Sequence, residues 1–205
     1  LFEFIPAFAI KQNVPTIPGV TPYTALELEG RDLYIREGCY TCHSQMVRPT
    51  RAETLRYGDY SRAGEYVYDH PFQWGSRRIG PDLLRVGGKY PDLWQIKHLE
   101  NPQEISKGSI MPSYGHLLAN DLDTTHTAAR LSVMQKLGVP YTDQQVTNAV
   151  KDLEEQAATI SKRLTTEGEI RDLSKKEVIA LVAYLQRLGR DFRSLPEAER
   201  EKIPR

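Results

Sequence analysis

The sequence predicts an all-α protein. Apolar residues recur at helical spacing in several segments, and these segments begin at good N-capping residues and end at or near glycines. No segment of useful length alternates apolar and polar residues as a half-buried β-strand does. We therefore expect helices that pack directly on one another, joined by loops rich in glycine and proline.

The first predicted helix follows an extended linker at residues 11–23, which holds three prolines and one glycine. Thr24 is a good N-cap, and Glu27 three positions later completes a capping box. The helix is predicted to end near Gly38, directly before the first cysteine.

Loops are predicted for most of residues 44–92, where glycines and prolines are frequent. A short helix is predicted over residues 91–100, with Pro91 in its first turn and Asn101-Pro102 ending it. Another loop is expected to run through Met111-Pro112.

The C-terminal half is predicted to be mostly helical. One helix is expected over residues 124–137, and the next from Thr142 to about residue 165. Because apolar residues are sparse and charges dense in the latter, we expect a solvated helix on the surface. Ser174 is predicted to cap the last helix, with Glu177 completing a capping box. The apolar face of that helix is formed by Val178, Leu181, Val182, Leu185 and Leu188.

Composition excludes several classes of protein. The chain has 205 residues and a formal net charge of zero, with 27 basic and 27 acidic side chains. Proteins that bind nucleic acid non-specifically usually carry a basic excess, so we expect no nucleic-acid partner. Two cysteines are too few for a disulfide framework or a four-cysteine zinc site.

The sequence opens on an apolar run at residues 1–10, which Glu3 and Pro6 interrupt. A membrane-spanning helix needs roughly 20 apolar residues, so the run alone is too short to span a bilayer. No signal-peptide pattern is visible. The run is either a frayed apolar terminus or the outer end of a membrane span.

Both cysteines belong to one motif, Cys39-Tyr40-Thr41-Cys42-His43. This spacing is the attachment pattern of c-type haem, in which two thiols bond the vinyl groups and the following imidazole ligates the iron. The alternative, a redox-active CxxC, belongs after a strand in a βαβ unit, and no such pattern is present. We therefore expect one covalent haem c, with Cys39 and Cys42 as attachment points and His43 as proximal ligand.

The sixth iron ligand is predicted to be Met111, in a loop rich in glycine, proline and serine. Met46 lies only three residues beyond His43, and Met134 fits an apolar helical pattern typical of a core residue. Ligation by methionine and histidine leaves no open iron position, so we expect an electron carrier rather than a haem enzyme such as a peroxidase. The fallback ligands are His70, His98, His116 and His126.

Further side chains are expected around the haem. The Pro81 carbonyl is predicted to accept the second N–H of the proximal imidazole, which would fix the ring's orientation. The haem propionates need cations or hydrogen-bond donors, and these are concentrated in one segment. The candidates are Arg77, Arg78, Arg85, Lys89 and the indole of Trp94.

The helices and haem motifs together resemble a class I cytochrome c domain. In that family the first and last helices cross, with a glycine and an aromatic residue against a leucine and a tyrosine. Gly30 and Tyr34 match the first pair, and Leu181 and Tyr184 match the second. The resemblance implies an all-α class I cytochrome c domain with a helical insertion before the last helix.

A more specific resemblance runs from about residue 11 to residue 191. The segments 22–32, 42–49, 53–58, 74–83 and 85–90 resemble the mono-haem subunit, subunit II, of cbb3-type cytochrome c oxidases. The resemblance implies an electron-relay subunit of an oxygen-reducing, proton-translocating complex, not the oxygen-reducing site itself. The rival interpretation is a soluble, diffusible cytochrome c, which the linker and the apolar start disfavour.

The resemblance also implies partners and a location. Electrons would come from the di-haem cytochrome c subunit III or a soluble cytochrome c, and would pass to haem b of the haem- and copper-containing catalytic subunit I. The chain would lie on the periplasmic face of the bacterial inner membrane, anchored by an N-terminal helix that is not in this sequence. A calcium ion near the interface with subunit I is a family feature, and Ser76 is the candidate contact.

Four regions follow from this interpretation. Residues 1–20 are expected to be a membrane-proximal segment and linker, and residues 192–205 a C-terminal tail. The cytochrome c domain would comprise residues 21–118 and 171–191. Residues 119–170 would be a helical insertion that covers the haem domain or contacts a partner subunit.

Overall fold

The computed structural model describes residue 5 and residues 16–169 and 171–203. Within these residues the chain forms eleven α-helices and no strand, which confirms the predicted all-α class. The α-helices are α1 (Ala25–Arg36), α2 (Arg51–Tyr57), α3 (Asp92–Glu100), α4 (Pro102–Ile105), α5 (His116–Ala119), α6 (Thr127–Lys136), α7 (Asp143–Thr147), α8 (Ala149–Glu167), α9 (Glu177–Arg187), α10 (Arg190–Ser194) and α11 (Glu197–Arg200). Short 3₁₀ turns lie at Cys39–Thr41 and Ala63–Tyr66.

The start of α1 is as predicted. The Glu27 backbone N–H donates to Thr24 Oγ1 over 3.3 Å, and the Glu27 carboxylate accepts from the Thr24 N–H over 2.9 Å. This capping box satisfies two backbone donors that a helix N-terminus otherwise leaves unpaired. It fixes the first residue of the helix that leads into the cysteine motif.

The main core forms where α1 crosses α9. Gly30 lies so close to the Ala180 backbone that no side chain fits between the two helices. One turn further along α1, the ring of Tyr34 packs on the ring of Tyr184, with centroids 5.5 Å apart. Because the helices touch at Gly30, the distance between α1 and α9 is fixed. The loop that follows α1 is thereby also positioned relative to α9.

The prediction of a solvated helix after Thr142 is wrong for one of its faces. The segment divides at Asn148 into α7 and α8, and α8 buries one stripe of side chains in the main core. The spacing of that stripe, three or four residues, is helical, but the many charges on the other faces obscure it in the sequence. The buried residues are Ala149, Leu153, Ala157, Ile160 and Leu164.

Polar contacts also join α8 to the N-termini of α1 and α3. The Thr24 hydroxyl, at the start of α1, donates to Gln156 over 2.7 Å. The Glu167 carboxylate accepts from the Leu93 backbone N–H over 2.8 Å, at the N-terminus of α3. Helix α8 therefore supports the N-termini of α1 and α3. The domain boundaries given above remain a prediction.

The predicted cap of the last helix is also wrong. Helix α9 begins at Glu177 with Lys176 as its N-cap, and no side chain caps it. The Glu177 carboxylate instead accepts two hydrogen bonds from Arg36, over 2.6 and 2.8 Å. A tertiary ion pair between α1 and α9 has replaced the local capping box that the sequence pattern predicts.

The ends of the chain are described only in part. Residues 1–4 and 6–15, most of the predicted membrane-proximal segment, lie outside the described residues, as do residues 204–205. No helix among the described residues is long and apolar enough to cross a membrane. In the predicted tail, Phe192 is buried, and the Arg85 guanidinium lies 4.9 Å from the centre of its ring.

Candidate functional site

The cysteine motif forms a tight turn at the end of α1. Gly38 adopts the left-handed conformation, with φ of 68°, and the 3₁₀ turn Cys39–Thr41 follows. The His43 backbone N–H donates to the Cys39 carbonyl over 2.9 Å. Both cysteines are free and half-buried, and burial together with the nearby Glu37 carboxylate raises the pKa of the Cys39 thiol to about 12.

This turn borders a cavity of about 680 Å³. The volume lies within the range of roughly 300–1,000 Å³ that is usual for ligand and cofactor sites. Helix α9 closes one side with Leu181 and Leu185, and α3 and the loop before α5 contribute further parts of the wall. The residues predicted to attach and ligate a haem meet there: Cys39, Cys42, His43 and Met111 all line the cavity.

The His43 imidazole has a fixed orientation. Its Nδ1 lies 2.8 Å from the carbonyl oxygen of Pro81, the partner that the sequence predicts. Because a carbonyl only accepts, Nδ1 carries the proton and Nε2 keeps its lone pair. Burial lowers the pKa of this imidazole, which favours the neutral ring that a metal requires.

Gly80 explains how the ring and the Pro81 carbonyl come so close. A Cβ at Gly80 would lie 2.2 Å from His43 Cε1, so the backbone passes directly against the imidazole. The Gly80 N–H donates to the Cys42 carbonyl over 3.0 Å, which ties the segment to the cysteine turn. Glycine is required here because a side chain would have no space. Its backbone conformation does not require it, since its φ is not positive.

Asp82 anchors the same segment on its other side. Its buried carboxylate accepts from the Ser44 hydroxyl over 2.7 Å and from the Met46 backbone N–H over 2.8 Å. It also accepts from the Leu84 N–H over 2.9 Å. These bonds hold residues 80–84 against residues 42–46, so the position of the Pro81 carbonyl does not depend on one contact.

Met111 reaches the cavity from the loop between α4 and α5. Gly108 in this loop has φ of 80°, and the Met111 N–H donates to Ser109 Oγ over 3.2 Å. Pro112 also lines the cavity and restricts the backbone next to the thioether. The loop is fixed at its far end, where the Tyr114 N–H donates to the Leu99 carbonyl over 2.8 Å.

The alternative iron ligands differ in position. Met134 is buried in α6 within the main core and is not part of the cavity wall. Among the histidines of the described residues, His43 and His98 line the cavity. His98 is therefore the fallback ligand that lies nearest to the predicted site.

The predicted propionate partners are only partly brought together. Arg85, Lys89 and Trp94 line the cavity, whereas Arg77 and Arg78 do not. Arg77 is exposed, and Arg78 binds the Ser44 hydroxyl, the Met46 carbonyl and Glu53. Arg85 is buried and paired with Glu65. Arg78 and Arg85 therefore already have partners within the chain, which the sequence could not reveal.

Trp94 belongs to a stack of rings on the cavity wall. Its ring lies 3.9 Å from that of Tyr90 and 4.9 Å from that of His98, with nearly parallel planes. Both neighbours line the cavity as well. The stack holds the indole in one orientation on the side of α3 that faces the cavity.

Buried polar atoms without partners face the same cavity. Gln95 is only 3% exposed, yet neither Nε2 nor Oε1 has a hydrogen bond, and His98 Nδ1 is likewise unpaired. Unpaired buried groups are costly, so these atoms fit a cavity whose occupant offers polar groups. A haem fits, since it combines an apolar ring with carboxylates. Sequence reasoning missed Gln95, although it shares a helical face with His98 and Leu99.

The predicted calcium contact has no ligand cluster of its own. Ser76 is exposed. Within residue 5 and residues 16–169 and 171–203, no group of three histidine, cysteine or acidic side chains is arranged to hold a metal ion. A calcium contact at Ser76 remains a prediction.

Comparison with known families gives a match over most of the chain. The model of the family described as cytochrome C oxidase, mono-heme subunit/FixO matches residues 1–192. No curated protein matches the chain.

Proposed function

The chain belongs to the FixO family of mono-haem cytochrome c oxidase subunits, and we propose that it relays single electrons through one c-type haem. The haem would be attached through Cys39 and Cys42 and ligated by His43 and Met111. Members of this family are described as the mono-haem subunit of cytochrome c oxidase. The electron route, the covalent linkage and the ligands are our proposal.

One observation carries the proposal. Four residues that lie up to 72 positions apart in the sequence, from Cys39 to Met111, line a single cavity of about 680 Å³. Two of them are thiols, one is an imidazole with its Nε2 lone pair free, and one is a thioether. This set combines both attachment groups and both axial ligands of a Met/His cytochrome c.

The chain's own residues would tune the site. When bound, haem supplies an iron that changes by one electron between ferric and ferrous states. His43 would offer Nε2, and its Nδ1–H bond to the Pro81 carbonyl would raise its basicity and prevent the ring from rotating. Met111 would offer its thioether, a ligand that favours the ferrous state.

This ligand set supports a relay rather than an enzyme. A peroxidase-type reaction needs an open iron position, and Met111 on the cavity wall argues for a filled one. Membership of an oxidase-subunit family also favours the relay over a freely diffusing carrier. No specific observation favours a peroxidase-type enzyme or a freely diffusing carrier.

We propose the following electron route. A di-haem cytochrome c subunit or a soluble cytochrome c donates to this chain at the periplasmic face of the bacterial membrane. The chain then donates to haem b of the catalytic subunit, where copper and haem reduce oxygen. Ser76 is proposed to contact a calcium ion at that interface.

The test is purification of the oxidase in mild detergent through an affinity tag on this chain. We expect one c-type haem per copy of the chain, together with a subunit that contains haem b and copper. In anaerobic stopped-flow mixing, c-type absorbance should become reduced before haem b absorbance. A tagged chain that is recovered alone, with a full c-type spectrum, would contradict the relay role and support a diffusible carrier.

A further inference from the structure

Two aromatic rings are exposed on the protein surface outside the cavity. Phe72 and Trp74 stack face to face, with centroids 4.5 Å apart and planes 2° from parallel. Their side chains are 44% and 39% exposed. Aromatic residues with this exposure are enriched at protein interfaces, where they supply large contact areas at low entropic cost.

The ring pair is held rigidly. Tyr66 is buried and meets both rings edge-on, with centroids 6.5 Å from Phe72 and 5.6 Å from Trp74. The Tyr66 hydroxyl donates to the Gln45 carbonyl over 2.8 Å, and the Gln45 N–H donates to the Trp74 carbonyl over 2.7 Å. The exposed rings are therefore preorganised, which lowers the entropy lost when a partner binds.

The pair adjoins the cysteine turn. Gly75, with φ of 61°, packs against the cysteine turn, and a Cβ there would lie 2.8 Å from the His43 carbonyl and 2.9 Å from that of Tyr40. Tyr40 is 41% exposed. Ile79, on the same segment, is 57% exposed and also lines the cavity. The exposed apolar residues thus extend from Phe72 to the edge of the cavity.

Exposed positive charge lies on the same segment and on segments joined to it, since Arg77 stands between Trp74 and Ile79 in the chain. Arg48, Arg51 and Arg77 are exposed, and no carboxylate among the described residues pairs with them. Their segments are joined by Arg78, which binds Glu53 of α2 and the Met46 carbonyl. These segments therefore expose cationic side chains, although the whole chain has no formal net charge.

We propose that this surface binds the electron-accepting subunit of the oxidase, through a region of that subunit with an apolar centre and acidic side chains around it. The docking face is defined as Tyr40, Phe72, Trp74 and Ile79, bordered by Arg48, Arg51 and Arg77. The inference rests on the proposed function, because it assumes a permanent oxidase partner. Charge complementarity and continuity with the cavity edge support this occupant.

The test uses the whole oxidase, purified in detergent through a tag on this chain. The aromatic variant carries Phe72→Ser and Trp74→Ser, and the charge variant carries Arg48→Glu and Arg77→Glu. The matched control carries Val133→Ser and Leu137→Ser, an apolar pair of similar or greater exposure on and just beyond α6. The readout is haem b absorbance per unit of c-type absorbance in the eluate.

We expect the aromatic variant to lose about tenfold or more of the associated haem b, as when a central aromatic anchor of an interface is truncated. The charge variant should retain less haem b than the unmodified chain at low salt, and the difference should shrink as salt is raised, because salt screens the new repulsion. The control should match the unmodified chain. If the aromatic variant lacks c-type absorbance and has not folded, the charge variant decides.

Three results would overturn the proposal. If the aromatic and charge variants retain haem b normally, the docking face is wrong although the relay function stands. If the unmodified chain itself retains no haem b, the relay function fails and the docking face fails with it. If the full chain binds vesicles of anionic phospholipid and both variants lose that binding but keep haem b, the surface faces lipid instead.

Discussion

Gly30 of α1 lies against the backbone carbonyl of Ala180 in α9, so closely that a Cβ on Gly30 would be 1.8 Å from the carbonyl oxygen. The same Cβ would be 2.8 Å from the Tyr184 Cβ. Since α1 leads into the cysteine turn and α9 forms part of the cavity wall, this contact sets the position of the attachment site relative to the cavity.

Replacing Gly30 with alanine should therefore destabilise the protein. The groups around Gly30 are backbone and Cβ atoms, so the two helices must separate, and overpacking of this kind costs about 1–3 kcal/mol. Denaturant unfolding measures the change. The control is Gly115→Ala, where the nearest atom to the new Cβ is Ser113 Oγ at 3.4 Å. Equal stability of the two variants would contradict the close crossing.

Met111→His should lower the reduction potential by on the order of 0.1 V or more, within the roughly 0.8 V range that axial ligands control. An imidazole donates more strongly to ferric iron than a thioether does. A potentiometric titration followed by absorbance measures the shift. Met111→Leu should also abolish the weak far-red charge-transfer band of ferric iron with a thioether ligand.

Persistence of that band in Met111→Leu would mean that another methionine is the ligand. If an imidazole replaces the thioether there instead, His98 is the expected source, because it lines the cavity with an unpaired Nδ1. The double variant Met111→Leu with His98→Leu should then be five-coordinate.

Ile160→Ala should cost about 2–5 kcal/mol, since Ile160 is 4% exposed in the core face of α8. The matched control on the same helix is Val150→Ala, where the side chain is 36% exposed and a change of about 0.5 kcal/mol is expected. Thermal unfolding measures both. Equal effects would show that α8 is a surface helix after all.

The Glu177 pKa is lowered chiefly by its hydrogen bonds to Arg36. The ion pair therefore stabilises the fold above the unfolded pKa of roughly 4.3, and the contribution disappears as the pH falls through the lower native pKa. Glu177→Gln should cost about 0.5–1 kcal/mol at neutral pH, because Arg36 is half exposed.

Urea unfolding at pH 7 and near pH 3 tests this dependence. The difference between Glu177→Gln and the unmodified chain should shrink at the lower pH. Glu154→Gln, at an exposed position of α8, should show little difference at either pH. A loss that is unchanged or larger in acid would contradict the assigned ion pair.

The features that the sequence predicts correctly are local. The capping box of Thr24 and Glu27 depends on residues within one turn, so its pattern is sufficient. The cysteine motif is equally compact, and its two cysteines and His43 line one cavity, while covalent attachment of haem there stays a prediction. The crossing of α1 and α9 is a long-range contact, and the resemblance to class I cytochrome c domains implied it.

The features that sequence reasoning missed depend on distant partners. Glu177 looks like a capping-box residue, but Arg36, 141 positions away, binds its carboxylate. Arg78 looks available for a propionate, but Glu53 already pairs with it. The core face of α8 is narrow among many charges, so only its contacts with other helices reveal that it is buried. Local sequence patterns do not show which distant residue will bind a given side chain or which helix face will be buried.

The most direct test of the central claim is the pyridine haemochrome spectrum of the purified chain after acid–acetone extraction. We expect haem to remain with the polypeptide and to give a c-type spectrum. Cys39→Ala and Cys42→Ala should each shift the spectrum to that of haem with one thioether bond, because each thiol forms its own bond to the haem. A c-type spectrum that is unchanged in both variants, or haem that extracts completely from the unmodified chain, would contradict covalent attachment at this site.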